Sequence, residues 1–369
     1  MRNARITELS DLIAALPEKE RALVGRIFDV SEATGRLVPP ETMRAWIEDS
    51  FGSVEAVSEQ RIVRVTNKIT LEGTLFNSLR ALRPLDTGVS VDLEEEIAAT
   101  ENDPFCDPES GTPADVFGRV RGKHSITAAN VAKYDAHHAV IVFDDHSPLK
   151  LTPEKVSDYI EVGLSWHRKV LEEDPDFKYP FLMWNCLWRA GGSIIHGHAQ
   201  VTATSGSHYP KVERLRRDVK SYKAEHSSNY FDDLCQAHEA LGLRIPASGG
   251  TRAFANLTPV KEKEIILIGK SGESGESLDD EEFKNSVGEL LRSCVKDLGV
   301  SSFNVAFYIP PPISKAKEDW SGFPITVRVV DRGSPANRTS DIAAMELYAA
   351  SVVASDPFEV ARILRDDSP

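Results

Sequence analysis

The chain has 369 residues, of which 41% are hydrophobic, 27% are charged and 8% are aromatic. This composition is typical of a globular protein and excludes a coiled coil, a collagen-like chain and a globally disordered chain. With 43 basic and 57 acidic residues, the formal net charge is −14. Such a chain repels a polyanion, which argues against broad binding to nucleic acid.

Neither a membrane nor an export signal is indicated. No apolar run reaches the ~18 residues of a membrane span, and the first residues lack the apolar core and cleavage site of a signal peptide. The four cysteines are scattered without a CxxC pair: Cys106, Cys186, Cys235 and Cys294. This usage favours a reducing compartment, so we expect a cytoplasmic protein.

Residues 1–60 are predicted to form a helical N-terminal extension that serves packing or dimer contact, because apolar residues recur three and four positions apart. Residues 61–84 have β-branched runs on both sides of Asn67 and Lys68, which predicts a hairpin. Residues 100–122 are rich in Pro, Asp and Gly and are expected to be irregular.

From residue 128 onward the same order of elements occurs twice. A strand at 128–143 and another at 253–269 are each followed by a helix and two more strands. Asn130 and Asn256 each precede their strand by about ten residues. The repeat predicts an α+β fold of two similar halves, residues 61–250 and 251–369.

The first half carries two histidines two positions apart. In an extended segment, the side chains of His196, His198 and Gln200 lie on one face. The preceding Gly191 and Gly192 let the backbone approach a ligand, and their N–H groups can face anionic oxygens. A neutral imidazole beside a bound phosphate can attack phosphorus. The alternative is a hydrogen-bonded histidine pair buried on a core strand.

Six positions at fixed spacing extend this pattern: Asn185, Gly191, Ser193, His196, His198 and Gln200. They resemble the galactose-1-phosphate uridylyltransferase branch of the histidine-triad superfamily, in which Gln stands where the hydrolase branch usually has a third His. The resemblance spans roughly residues 60–350. It implies two histidine-triad-like halves whose antiparallel strands form one sheet with helices on one side, and it implies a homodimer.

The resemblance also implies roles for these residues. His198 is expected to attack the α-phosphorus of a nucleotide sugar or dinucleotide, and Gln200 to donate a hydrogen bond to a phosphate oxygen. His196 and Ser193 complete the catalytic set. The residues expected to bind the substrate are Arg80, Arg83, Asn130, Asn185, Gly191 and Gly192.

Two of these assignments have alternatives. The segment from Thr66 to Pro84 resembles the family's N-P-x-T-x-E and R-A-x-R-P motifs, so Arg80 and Arg83 are expected to contact phosphate through their forked donors. The alternative is a solvated helix face. Asn130 stands where superfamily members place an Asn near the ribose or base, and the alternative is a residue that caps a turn.

A structural zinc site is implied by the same family, which commonly uses a CxxC pair, a later His and the first His of the HxHxQ motif. The corresponding residues here are Asp103, Cys106, His146 and His196, with Asp at the first Cys position. Such O, S and N donors can bind zinc tetrahedrally. The alternative is a site that has lost its metal. In the second half, Asn304 and Ala306 replace a histidine pair, so a second metal site is expected to be absent.

Three functions are compatible with these residues. The first is a nucleotidyltransferase, with a uridylyl donor as the default and a sugar 1-phosphate as the acceptor. The second is a phosphorylase that splits a nucleotide sugar or a dinucleoside polyphosphate with inorganic phosphate. The third is a catalytically silent nucleotide-binding protein. A hydrolase is disfavoured because Gln200 takes the third histidine position. The other histidines, including His137 and His138, have no spacing that demands a function.

Overall fold

The computed structural model describes residues 4–82, 91–270 and 280–366. The strands are β1 (Phe28–Arg36), β2 (Glu59–Asn67), β3 (Gly73–Phe76), β4 (Ser125–Ala129), β5 (His137–Phe143), β6 (Tyr179–Cys186), β7 (His198–Thr204), β8 (Arg244–Ile245), β9 (Arg252–Ala255), β10 (Glu262–Ile268), β11 (Phe303–Tyr308), β12 (Thr326–Asp331) and β13 (Ser351–Val353).

Helices connect and cover these strands. They are α1 (Leu9–Ala15), α2 (Glu18–Ile27), α3 (Glu41–Phe51), α4 (Val54–Ser58), α5 (Leu93–Ala98), α6 (Pro108–Gly111), α7 (Pro153–Glu173), α8 (Pro210–His226), α9 (Tyr230–Ala240), α10 (Glu281–Lys296), α11 (Ala344–Tyr348) and α12 (Pro357–Asp366). Within the described ranges, no helix combines the length and the apolar character needed to cross a membrane.

The predicted repeat is confirmed. Both β5-α7-β6-β7 and β10-α10-β11-β12 have the order strand, helix, strand, strand. All pairings in the resulting nine-stranded sheet, β4-β5-β7-β6-β11-β12-β10-β9-β8, are antiparallel, and β6 pairs with β11 where the halves meet. The α+β class with a large antiparallel sheet is therefore as the sequence predicts.

One face of the large sheet packs on the helices. Ile141 and Leu182 on the sheet belong to the same core as the inward side of α7. A Cβ on Gly163 of α7 would crowd the terminal methyl groups of Leu182 and Ile141, so glycine at this position allows the helix to pack this closely on the sheet. The opposite face carries a smaller core that includes Val140 and Val142.

The N-terminal region differs from its prediction. Residues 1–60 are not helical throughout, because Phe28–Arg36 form β1, which pairs along its whole length with β2. The predicted hairpin is confirmed as β2 and β3, and β13 adds a parallel strand, so that these elements form a second sheet. Cross-strand pairing over nine residues outweighs the weak helical periodicity of residues 28–36. The domain boundaries at 60 and 250 remain predictions.

The small sheet contacts the second half through a buried ion pair. Arg328 on β12 donates to Glu264 at 2.7 Å and to Glu72, next to β3, at 2.6 Å. Glu264 is only 2% exposed. The pairings Gln200–Met183, Met183–Ala306 and Ala306–Arg328 place Arg328 on the same sheet face as Gln200.

Replacing Arg328 by methionine is expected to lower the free energy of unfolding by about 3 kcal/mol, because the buried Glu264 loses its partner charge. Denaturant unfolding measures the loss. The matched control is Arg244→Met, which breaks an ion pair with Glu239 in which both side chains are 57% exposed and should cost less than about 1 kcal/mol. Equal losses in the two variants would contradict a stabilising role for the buried pair.

Candidate active site

The histidine motif lies at the start of β7, on the sheet face opposite α7. His198 pairs with Val142 and Gln200 with Val140, so both side chains point to the side of the smaller core. His196 precedes the strand, and all three polar side chains are at least 93% buried. Strand alternation thus places the motif on one face, as its spacing predicts.

His198 is held as one tautomer. Its Nδ1 lies 2.8 Å from the backbone oxygen of His196, which can only accept, so Nδ1 carries the proton and Nε2 keeps its lone pair. Burial lowers the pKa of His198, which favours the neutral ring. Nε2 has no hydrogen-bond partner among the described residues and is not one of their fully buried unpartnered atoms. The Nε2 lone pair is therefore unpaired, and such a neutral imidazole nitrogen can act as a nucleophile, although His198 is only 7% exposed.

His138 on β5 orients the amide of Gln200. The backbone N–H of Tyr134 donates to Nδ1 of His138 at 3.0 Å, so the ring proton is on Nε2, which donates to Oε1 of Gln200 at 2.9 Å. Burial lowers the pKa of His138, and the Tyr134 ring stacks on it at 4.6 Å. Because Oε1 is occupied, Gln200 is left with its amide nitrogen to donate to a ligand.

Gly191 and Gly192, which precede the motif, are required by the backbone conformation and close packing of their loop. Gly191 has a φ of +92°, a conformation that favours glycine. A Cβ on Gly192 would lie 2.7 Å from the backbone oxygen of Asn185. Their N–H groups donate to the backbone oxygens of Trp188 and Leu187, both at 3.0 Å. Internal hydrogen bonds therefore occupy these two N–H groups in this structure, and substrate binding by Gly191 and Gly192 remains a prediction. Ser193 is exposed on the same loop.

Four predicted metal ligands converge beside the motif. The donor atoms of Asp103, Cys106, His146 and His196 all lie within 4.8 Å of one another. Sγ of Cys106 is 3.4 Å from Nδ1 of His146 and 3.5 Å from Nδ1 of His196. These residues come from three separate segments, since Asp103 and Cys106 share one turn, and the set is the one that the sequence indicates.

The protonation of the two histidines fits a cation. Nε2 of His146 donates to the backbone oxygen of Ile97 and Nε2 of His196 to that of Phe143, both at 2.9 Å. Both Nδ1 atoms therefore carry lone pairs, yet they lie 3.0 Å apart and would repel each other. Oδ2 of Asp103 is buried without a partner. A zinc ion would satisfy all three atoms, and outward N–H bonds to carbonyls are typical of zinc-binding histidines.

The predicted substrate-binding residues are spread more widely. Asn185 is the last but one residue of β6, and the β6–β7 pairing continued by two residues puts it opposite His198. Asn130 caps a turn, because its Oδ1 accepts from the N–H of Ala132 at 2.9 Å, and its Nδ2 lies 3.3 Å from Nε2 of His138. Its predicted contact with ribose or base remains a prediction.

Arg80 lies in the turn Ser78–Leu82 and lines a cleft of about 1150 Å³ together with Arg189 and Arg332. Neither His198 nor Gln200 lines that cleft. The structure thus does not bring Arg80 beside the histidine motif, and its contact with phosphate remains a prediction. Arg83 lies outside the described residues.

Sequence reasoning missed the residues that orient the amides. His138 was assigned no role, although a histidine in an otherwise apolar strand, four residues before Val142 on the same face, is a detectable signal. The second half also contributes: Asn304 hydrogen-bonds Asn185, and Arg332 hydrogen-bonds Asn304. No local pattern links residues so far apart in the chain.

Solved structures share this fold. An ADP-glucose phosphorylase from Arabidopsis thaliana, with bound ADP-glucose, has a TM-score of 0.63 and 19% identity over 82% of this chain and 98% of that chain. A GalT-like protein from Arabidopsis thaliana has a TM-score of 0.57 and 19% identity over 73% of this chain and 93% of that chain. A uridylyltransferase has a TM-score of 0.56 and 15% identity over 82% of this chain and 97% of that chain.

These likenesses show that the chain shares the fold of the ADP-glucose phosphorylase, the GalT-like protein and the uridylyltransferase, as the resemblance of the motif predicts. No protein-family model matches the sequence, and a sequence comparison with curated proteins gives no match. At these identities the likeness concerns the fold, so the chemistry has to be argued from the site.

Proposed function

We propose that this chain is a nucleotidyltransferase that moves a nucleoside monophosphate, UMP by default, from a nucleotide sugar to a sugar 1-phosphate through a covalent bond to His198. The observation that carries the proposal is the state of this histidine: Nδ1 donates to the His196 carbonyl at 2.8 Å, while Nε2 is unpartnered among the described residues and is not fully buried. The amide nitrogen of Gln200 lies on the same face of the sheet as His198 and can donate to a phosphate oxygen.

In the first half-reaction, Nε2 of His198 attacks the α-phosphorus of the nucleotide donor. A P–N bond forms as the bond from phosphorus to the bridging oxygen breaks, and a sugar 1-phosphate leaves with that electron pair. The imidazole gains positive charge while its proton stays on Nδ1. The backbone oxygen of His196 accepts this N–H and thereby stabilises the charged ring.

In the second half-reaction, a phosphate oxygen of the acceptor attacks the same phosphorus. The new P–O bond replaces the P–N bond, and the electron pair returns to Nε2, which restores the neutral ring. Splitting one transfer into two displacements lets a single nucleophile serve both substrates. It also requires that donor and acceptor occupy one site in turn.

Gln200 and Asn185 are the residues that we propose to bind the non-bridging oxygens. Each has its amide oxygen occupied by a protein donor, so each presents N–H groups, which gain strength as charge develops on those oxygens. Ser193, exposed on the adjoining loop, is proposed to contact the phosphate as well.

Asp103, Cys106, His146 and His196 would hold a zinc ion. Its contribution would be structural, since the four residues fill a tetrahedral shell. His196 would then be fixed by the ion and by the backbone oxygen of Phe143, and the carbonyl that orients His198 would be fixed with it.

Phosphorolysis is the second candidate. It shares the first half-reaction but uses inorganic phosphate as the acceptor. We include it because one protein of this fold is an ADP-glucose phosphorylase with bound ADP-glucose. A product assay that offers inorganic phosphate and hexose 1-phosphate in parallel separates the two candidates.

The test of the proposed function is covalent labelling with a panel of donors. Wild-type protein is incubated with α-phosphorus-labelled UDP-glucose or ADP-glucose and quenched in acid and in alkali. A nucleotidyl-histidine is expected to be labile to acid and stable to base. If the protein binds nucleotides but shows no label and no turnover with any donor, the proposed enzymatic function is wrong. That result would favour a catalytically silent nucleotide-binding protein.

Replacing Gln200 by alanine is expected to lower kcat by roughly 10²- to 10³-fold, the usual effect of removing a hydrogen bond to developing charge, with a smaller change in KM. Steady-state kinetics with the best donor measure both. The control is Thr202→Ala, two residues further along the same face of β7, which should stay close to wild type. An unchanged kcat in the Gln200 variant would contradict the assigned role.

A further inference from the structure

The amide of Asn185 is in contact with the second half of the molecule. Nδ2 of Asn304 on β11 donates to Oδ1 of Asn185 at 2.7 Å and to the backbone oxygen of Ala190 at 2.9 Å. Nη1 of Arg332, just past β12, donates to Oδ1 of Asn304 at 2.5 Å. The three side chains form a chain of hydrogen bonds that ends at the residue opposite His198.

These contacts leave one orientation for each amide. Arg332 can only donate and the Ala190 carbonyl can only accept, so Asn304 must point its oxygen at Arg332 and its nitrogen at Ala190. The same nitrogen faces Asn185, which must therefore offer its oxygen. Nδ2 of Asn185 has no partner among the described residues and is not one of their fully buried unpartnered atoms, so it is available to a ligand.

Arg332 is itself fixed by a carboxylate. Its Nε and Nη2 donate to Asp341 at 2.7 and 2.8 Å, a forked pair. Asp341 also lies 3.7 Å from Nζ of Lys261 and 4.0 Å from Nη2 of Arg189. Burial opposes ionisation of Asp341, but its bonds with Arg332 and the nearby cations outweigh this and lower its pKa. The start of the hydrogen-bond chain is therefore rigid.

We propose that Asn304 and Arg332 are positioning residues that hold Asn185 with its amide nitrogen toward the α-phosphate. They act through Asn185 and touch no reacting atom. This inference rests on the proposed function of His198. In this proposal, residues of the second half orient an amide that contacts the substrate of the first half. The bond from His138 to Gln200 orients a second amide in the same way.

The experiment is a double-mutant cycle of Asn185→Ala, Asn304→Ala and the double variant. Asn185→Ala should lower kcat/KM by roughly 10- to 150-fold, the range expected for loss of a hydrogen bond to a charged group, mostly in kcat. The Asn304 variant should lose a similar factor. The double variant should be no worse than Asn185→Ala if the effect of Asn304 passes through Asn185 and not through its bond to the Ala190 carbonyl.

Asn304→Asp separates positioning from packing. Its second carboxylate oxygen would accept from Asn185, so the amide turns and presents its oxygen to the phosphate. We expect this variant to be slower than Asn304→Ala. If Asn304 served only to keep the fold intact, Asn304→Asp should instead be the faster of the two variants, because Asp keeps a partner for Arg332 and Ala does not. Unfolding midpoints of all variants show whether each one folds.

Additive losses in the cycle, or Asn304→Asp at least as active as Asn304→Ala, would overturn the positioning role while leaving the proposed function intact. The cycle is also measured as the affinity for UMP and AMP by calorimetry. Wild-type protein that binds these nucleotides but forms no adduct would overturn the proposed function. In that case, a non-additive cycle in affinity would support the positioning role and an additive one would overturn it.

Discussion

Replacing His198 by asparagine is expected to abolish nucleotidyl transfer while nucleotide binding persists. Asparagine offers no lone pair that can replace Nε2, and loss of a covalent nucleophile typically lowers the rate by on the order of 10⁴- to 10⁶-fold. The measurement is kcat/KM with the best donor, together with the base-stable label on the denatured protein. Binding of UMP and AMP should remain measurable, because the amides of Gln200 and Asn185 are still in place.

The matched control is His226→Asn. His226 lies on α8 and packs against Tyr222, with ring centroids 4.5 Å apart, so its loss tests a histidine substitution that leaves the motif intact. This variant should keep wild-type labelling. Undiminished labelling of the His198 variant would mean that another residue is the nucleophile, and the mechanism proposed above would fail.

Removing zinc is expected to lower the free energy of unfolding by about 4 kcal/mol when free zinc in the reference sample exceeds Kd by about 1,000-fold. The physical reason is the cluster itself: without a cation, two unprotonated Nδ1 atoms face each other at 3.0 Å beside the buried Oδ2 of Asp103. Denaturant unfolding with and without a chelator measures the difference. Elemental analysis should give one zinc per chain.

Two cysteine variants make this test specific. Cys106→Ala removes a proposed ligand and should abolish the response to added zinc. Cys235→Ala removes a buried thiol on α9 that is outside the cluster, so it should keep the full response even if it lowers stability. Protein that is purified with zinc present yet contains none, or a Cys106 variant that binds it undiminished, would contradict the site.

The two halves have corresponding strands but different side chains at the positions of the histidine motif. The N–H of Asn130 donates to the His138 carbonyl, and that of Asn256 donates to the Glu264 carbonyl, so these strands correspond. In this register His198 corresponds to Thr326 and Gln200 to Arg328. The second half therefore has Thr326, not an imidazole, at the position that corresponds to His198. Its Arg328 and Glu264 instead form a buried ion pair with the small sheet.

Features that depend on the spacing of nearby residues could be predicted from the sequence. Alternation along an extended strand put His198 and Gln200 on one face, and the repeated order of elements predicted two halves with a large antiparallel sheet. The resemblance of the motif around His196 also indicated the four residues that converge as a possible metal site, and the fold. These predictions succeeded because strand periodicity and fixed motif spacing are properties of short segments.

Features that depend on contacts between distant segments of the chain are visible only in the tertiary structure. Residues 28–36 become a strand because β2 pairs with them, and the Gly191 and Gly192 N–H groups are used up by carbonyls of their own loop. The amide orientations of Gln200 and Asn185 are set by His138 and Asn304, which lie 62 and 119 positions away in the chain. A hydrogen bond between side chains leaves no periodic trace in sequence, so only the folded sheet shows which amide atom faces the substrate.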